Sequence, residues 1–128
     1  MLTALSILSN QYTNYMSAKL NKEAFEYAKK LIKEGKVDTS DDKWSEHNPN
    51  ATQENKFLQK HEIEDYSKWH LGIDTGEDEE NKGRYKFPFG DFKKVYRSGL
   101  VAVKQRAAQN HYPDIEKAAG ELLELLNK

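Results

Sequence analysis

The sequence predicts a mainly α, single-domain protein, with four or five helices around one core and at most a minor β-hairpin between about residues 69 and 89. Its length of 128 residues fits one domain, 1–128, and it contains no repeat or linker. Apolar residues also recur at three- and four-residue steps near both ends, as on one face of a helix. The alternative is an α+β domain in which the extended segments form a real sheet.

The N-terminal region carries an apolar stripe in helical phase. Its members are Leu2, Leu5, Leu8, Tyr12, Tyr15, Met16, Leu20, Ala24, Ala28 and Leu31. Either one long helix runs to Glu34, or Asn21 caps a second helix. Gly35 suits the position after the C-terminus of this helix.

The middle of the chain predicts a loop, a short helix and two extended segments. Residues 36–50 are polar, with Trp44 as an anchor onto the core, and Asn48-Pro49 favours a helix start leading to about Lys60. Apolar and polar residues alternate around 69–73 and 85–89, on either side of an acidic turn. Pro88 restricts any strand there to a sheet edge.

The C-terminal third predicts two helices. Ser98 can cap a helix from Gly99 to about Gln109, and Pro113 opens the second helix. The predicted core consists of Trp44, Trp69, Phe57, Phe25, Leu31, Leu100, Val103, Ile115, Leu122 and Leu126.

Composition restricts the classes of function. The chain has no cysteine, which excludes disulfides, thiol nucleophiles and cysteine metal sites. The N-terminus lacks the basic region of a signal peptide, and no apolar run approaches the roughly 20 residues of a membrane helix. We therefore expect a cytoplasmic location and no membrane partner.

No motif for catalysis or cofactor binding is present. The sequence lacks phosphate-binding glycine loops and a nucleophile elbow, and no two of its four histidines share a helical spacing of four residues. We therefore predict no catalytic residue, no metal and no cofactor. The expected function is that of a non-catalytic accessory or binding protein; the alternative is a small enzyme without a recognisable motif.

Charge segregation is the most informative feature. Between residues 82 and 106 there are eight basic residues and one acidic residue, a local charge of +7 in a chain whose total is −1. Five aromatic residues lie among these cations, a composition typical of surfaces that bind single-stranded nucleic acid. The predicted polyanion-binding residues are Lys86, Lys93, Lys94, Arg97 and Arg106. The alternatives are an acidic protein partner, or a solvated face that pairs with the chain's own acidic turn.

Lys104 interrupts the apolar face of the predicted helix 99–109, because its neighbours three and four residues away are apolar. We expect it to be at least partly buried, with its ammonium at the protein rim or paired with a carboxylate such as Asp91 or Glu116.

The uncharged segment 1–18 suggests a homo-oligomer in which this segment packs against its counterpart in a second chain. The alternative is an ordinary core helix.

The stretch Arg84-Tyr85-Lys86-Phe87-Pro88-Phe89-Gly90-Asp91 and the helical segments that follow it resemble C-terminal segments of uncharacterised phage- and prophage-associated bacterial proteins. The resemblance covers about residues 84–127. It implies a bacterial or phage accessory protein, and it brings no activity and no functional residue with it.

Overall fold

The helices of the protein pack with two small β-sheets. The structure, a computed structural model, describes residues 18–128, so the segment predicted for self-association lies almost entirely outside the described residues. The elements are β1 (Ala18–Leu20), α1 (Lys22–Lys33), β2 (Val37–Asp38), α2 (Trp44–His47), α3 (Ala51–Lys60), α4 (Ile63–Ser67), β3 (His70–Asp74), a 3-10 turn (Lys82–Arg84), β4 (Tyr85–Pro88), β5 (Val95–Tyr96), α5 (Arg97–Gln109) and α6 (Pro113–Leu126). This is an α+β architecture.

The predicted mainly α bundle is therefore wrong, and its α+β alternative is correct. In the three-stranded antiparallel sheet, β3 lies between β1 and β4. Ala18 pairs with Asp74 on one side, and His70 pairs with Pro88 on the other. β2 and β5 form a separate parallel pair. The strands have two to five residues, and their partners are distant in sequence, so local periodicity revealed only the β3–β4 hairpin.

Asn21 separates β1 from α1. Residues 18–20 form β1, so the continuous helix is wrong and Asn21 is the cap, its side-chain oxygen accepting from the Ala24 N–H. Its buried amide nitrogen donates to the Ser67 and His70 carbonyls at 3.0 Å each. One asparagine thus ties α1 to the start of β3.

Three other boundaries test the predicted caps. Asn50, not Asn48, caps α3 in a reciprocal capping box with Gln53. The N-cap of α5 is Tyr96 rather than Ser98, although the predicted end at Gln109 is correct. Pro113 begins α6 as predicted. These shifts of two residues leave the predicted helical faces largely intact.

The core lies between the three-stranded sheet and helices α1, α5 and α6. Of the ten predicted core residues, seven are buried, while Phe25, Phe57 and Leu126 are half-buried. Gly72 on β3 leaves room for the ring of Phe87, because a Cβ at Gly72 would lie 2.7 Å from that ring. None of the described helices has the length and apolar character needed to cross a membrane.

Candidate functional site

The described part of the chain contains an open groove of about 1030 Å³. It runs between α3, the start of α4 and the loop that joins β4 to β5. Its lining residues are Tyr27, Gln53, Lys56, Phe57, Gln59, Lys60, His61, Asp65, Lys68, Trp69, Asp91, Phe92 and Lys93. Aromatic rings and lysines dominate this lining, and we call it the lysine groove.

A stack of three parallel rings forms one wall of the lysine groove. Phe92 lies on Phe57 with ring centroids 4.4 Å apart and planes at 16°. Phe57 in turn lies on His61, with centroids 4.2 Å apart and planes at 13°. Both Phe57 and Phe92 are half-buried. Because Phe57 and His61 are four residues apart, α3 brings their rings to the same side.

The loop of residues 89–95 holds Phe92 in this stack. Phe92 has φ +70°, a left-handed conformation that bulky side chains rarely adopt. Asp91 stabilises the turn, since its Oδ1 accepts the N–H groups of Lys93 and Lys94 at 3.0 and 2.9 Å. Gly90 permits the close approach of this loop to the core, because a Cβ there would lie 2.6 Å from the ring of Trp69.

Tyr96 also holds the carboxylate of Asp91 in place. The Tyr96 hydroxyl donates to Asp91 Oδ2 at 3.0 Å. Burial raises the pKa of Tyr96 to about 12, with the hydrogen bond to Asp91 as the next cause. The carboxylate of Asp91 thus accepts three hydrogen bonds, two from its own loop and one from Tyr96, which fix its position in the lining of the lysine groove.

The cations of the lysine groove have no ion pair within residues 18–128. Lys56, Lys60 and Lys93 are exposed, and no described carboxylate lies within ion-pair distance of them or of Lys68. The Lys68 ammonium lies 5.6 Å from the centroid of the Tyr27 ring, a cation–π distance. Four lysines face two aspartates, so the lining carries a net charge of +2.

Of the five predicted polyanion-binding residues, the structure brings only Lys93 into the lysine groove. Lys94 instead forms an ion pair with Asp38 at 3.6 Å and lies 5.5 Å from the Tyr96 ring centroid. Lys86, Arg97 and Arg106 do not line the lysine groove.

Other cations of the basic segment are bound internally. Lys82 pairs with Glu54 at 3.1 Å, and Arg84 donates to the Glu77 carbonyl at 2.7 Å. The acidic turn of residues 74–80 therefore contacts the basic segment, and at Arg84 it does so through the backbone carbonyl of Glu77. These contacts agree in part with the alternative of internal pairing.

The aromatic residues of the basic segment also divide between two roles. Phe89 is fully buried and Tyr96 is 5% exposed, so their rings belong to the core and not to a base-stacking surface. Phe92 alone among the five lines the lysine groove. The prediction of interleaved aromatics as one binding surface therefore fails for Phe89 and Tyr96.

The structure corrects the expectation that Lys104 is at least partly buried. It is exposed and has no ion pair with a described carboxylate, so neither burial nor pairing with Asp91 or Glu116 occurs. A Cβ at Gly120 of α6 would lie 3.8 Å from Lys104 Cε, so the aliphatic stem extends over this glycine. This is an ordinary van der Waals distance, so the end of the lysine side chain lies beside α6 at the protein surface, in agreement with the expected rim position of its ammonium.

Sequence reasoning missed most of the lysine groove, although a signal was present. Four lining residues of α3 recur in helical phase: Gln53, Lys56, Lys60 and Phe57, followed by His61 at the cap. This spacing places cations and rings on one face. The sequence prediction uses only the apolar residue of this pattern, Phe57, and places it in the core.

One group of described side chains outside the lysine groove has the ligand types of a metal site. Asp42, Glu46 and His47 offer ligand atoms within 4.8 Å of one another. His47 Nε2 already pairs with Asp42 at 3.1 Å, and the two carboxylates are exposed. This pairing accounts for the arrangement of His47 and Asp42 without an ion.

Comparison of the chain with protein-family models, curated proteins and solved structures finds no match.

Proposed function

We propose that this protein is a non-catalytic binding protein that holds a polyanion in the lysine groove. The observation that carries the proposal is the set of four lysines, Lys56, Lys60, Lys68 and Lys93, without ion pairs in the described chain. Such cations gain more from an anionic ligand than cations that already have an internal partner.

Binding by this groove would depend mainly on released counterions. Each lysine that contacts a phosphate frees a condensed cation from a nucleic acid, which favours binding at low salt. Among the acids of the lining, Asp91 is held by its own loop, and Asp65 Oδ2 accepts the Glu62 N–H at 3.2 Å. Both aspartates thus have structural hydrogen bonds, and the four lysines outnumber them, which leaves a net charge of +2 on the lining.

The proposed location and source of the protein rest on its sequence. A cytoplasmic, bacterial or phage accessory protein remains part of the proposal, because the chain lacks cysteine and its C-terminal third resembles such proteins. An acidic protein could also use four lysines, and the experiments below include it as an outcome.

Two matched triple variants test the proposal. The groove triple carries Lys56→Ala, Lys60→Ala and Lys93→Ala, and the outer triple carries Lys86→Ala, Arg97→Ala and Arg106→Ala. Each removes three positive charges, so the net charge is the same. Binding to inorganic polyphosphate and to single-stranded oligothymidylate is measured from low to moderate salt. The groove triple should weaken binding and reduce the log–log salt slope for the oligonucleotide by about 2, at ~0.7 per phosphate contact.

The outer triple should keep the parent's affinity and slope. Equal losses in both triples would mean that net charge, rather than the lysine groove, governs binding. A loss confined to the outer triple would locate the surface at the originally predicted cations. If the parent binds neither probe at low salt, the proposal is wrong.

A further inference from the structure

The ring stack of the lysine groove is closed at one end and open at the other. Phe92, at the inner end, also contacts the rings of Trp69 and Tyr66, with centroids 6.1 and 5.8 Å away. Among the described residues, His61 contacts no ring except Phe57. Its side chain is 48% exposed. The stack therefore ends in solvent at a flat ring.

Cations line the groove together with this ring, and the nearest described acid is Asp65, whose Oδ2 lies 3.9 Å from His61 Nδ1. Lys56 and Lys60 are four residues apart on α3, and Phe57 is four residues before the C-cap residue His61, so a pair of cations lies beside a pair of rings. Each pair advances by about 6 Å per four residues. A ligand that follows α3 meets positive charge on one side and an exposed ring on the other.

We infer that the polyanion is a single-stranded nucleic acid, and that one of its bases stacks on His61 and extends the Phe92–Phe57–His61 stack by one ring. The inference rests on the proposed function and adds the class of ligand. Stacking tolerates any base, because every base has a π-face, and it requires a strand whose bases are not paired in a duplex. Polyphosphate would use the lysines alone.

Three single variants separate the ring from the charge. His61→Ala removes the ring, and His61→Phe retains a flat ring. His47→Ala is the matched control, because His47 is also stacked on an aromatic ring, that of Tyr96, but does not line the lysine groove. The probes are oligothymidylate, an abasic strand of equal length, a duplex of equal length, inorganic polyphosphate and poly-glutamate.

The parent should bind oligothymidylate more tightly than the abasic strand. His61→Ala should weaken oligothymidylate binding by about 5- to 150-fold and leave abasic-strand and polyphosphate binding unchanged. His61→Phe and His47→Ala should retain the parent's preference for oligothymidylate. Thermal melting of each variant shows that the compared proteins are folded.

Several outcomes would overturn the inference. Equal affinity of the parent for the oligothymidylate and abasic strands, or no loss in His61→Ala, would remove base stacking and leave the lysine groove as a general polyanion site. Equal binding of the duplex would remove the preference for single strands. Binding of poly-glutamate in place of every phosphate-bearing probe would assign the groove to an acidic protein. No binding to any anionic probe would instead defeat the proposed function itself.

Discussion

Among the described residues, two partly exposed histidines stack on an aromatic ring, and one of these two lines the lysine groove. His61 lies on Phe57 in the lysine groove, and His47 lies on Tyr96 with ring centroids 4.7 Å apart and planes at 26°. Both regions contain lysines and aromatic rings. They differ in where the acids lie.

In the His47 region, the charges are already paired. His47 bonds to Asp42 at 3.1 Å, and the neighbouring Lys94 pairs with Asp38. Hydrogen bonds from Ser40 are the main cause that lowers the pKa of Asp38, with attraction by Lys94 contributing less. In the lysine groove, the only comparable contact is between His61 and Asp65 at 3.9 Å. The same composition thus produces a self-paired surface in one place and an available cationic surface in the other.

The largest expected effect is a difference in stability between two alanine variants, each of which replaces one phenylalanine of the β4–β5 loop. Phe89 is fully buried, so Phe89→Ala should cost ~3–5 kcal/mol of unfolding free energy. Phe92 is half-buried at the inner end of the ring stack, so Phe92→Ala should cost less stability but weaken oligothymidylate binding. Urea denaturation and binding titrations measure both. A Phe92→Ala variant as unstable as Phe89→Ala, with unchanged binding, would make the ring stack part of the core.

A third histidine extends the comparison to the core. His70 is 3% exposed, packs on Tyr66 with ring centroids 4.4 Å apart, and has its Nδ1 2.8 Å from the Tyr66 carbonyl oxygen. Burial lowers the pKa of His70 to about 4 from its ordinary value of 6.5. The folded state therefore favours the neutral ring, whereas the unfolded chain takes up a proton below about pH 6.5.

This difference predicts a loss of stability in acid. The contribution of His70 is fully present above about pH 6.5 and falls by ~3 kcal/mol as the pH approaches 4, at about 1.4 kcal/mol per pKa unit. Urea denaturation at several pH values measures it. His70→Asn, whose amide can still donate to the Tyr66 carbonyl, should be less stable near neutrality and lose less on acidification. Equal acid losses in the parent and in His70→Asn would contradict the assignment.

The smallest expected effect comes from releasing Lys94, in the His47 region, from its ion pair with Asp38. Asp38→Asn removes the partner of Lys94 while its side-chain oxygen can still accept the Ser40 N–H, which now donates at 2.9 Å. A freed Lys94 should steepen the salt slope of oligothymidylate binding by at most ~0.7, the value for one added contact. Asp41→Asn, an equal change of charge in the exposed loop that follows β2, is the control. An equal increase in both variants would indicate a general charge effect.

The sequence predicted the four longer helices well because their signals are local, but it missed the short helices α2 and α4. The stripe of α6, the proline at its start and the core positions Leu100, Val103 and Ile115 all follow from spacing within one helix. The sheets could not be read in this way. Leu20 belongs to the predicted helical stripe, yet it pairs with Gly72 across 52 positions of the chain. Tertiary pairing overrides the local pattern there.

The site was only partly predictable for the same reason. Counting charge along residues 82–106 detected Lys93, but it joined this lysine to others that the fold separates or pairs internally. The cations of α3 are distant in sequence and become neighbours of Lys93 only because the 89–95 loop packs Phe92 against Phe57. The exposed lysine groove is therefore a tertiary property.

Lysine footprinting tests the central claim most directly. The protein is labelled with an amine-acylating reagent in the presence and absence of saturating oligothymidylate at low salt, and each lysine is quantified by mass spectrometry. The account predicts that bound oligonucleotide protects Lys56, Lys60 and Lys93, while Lys86 and Lys104 keep their free reactivity. Protection of Lys86 and Lys104 with unchanged labelling of Lys56, Lys60 and Lys93 would contradict it.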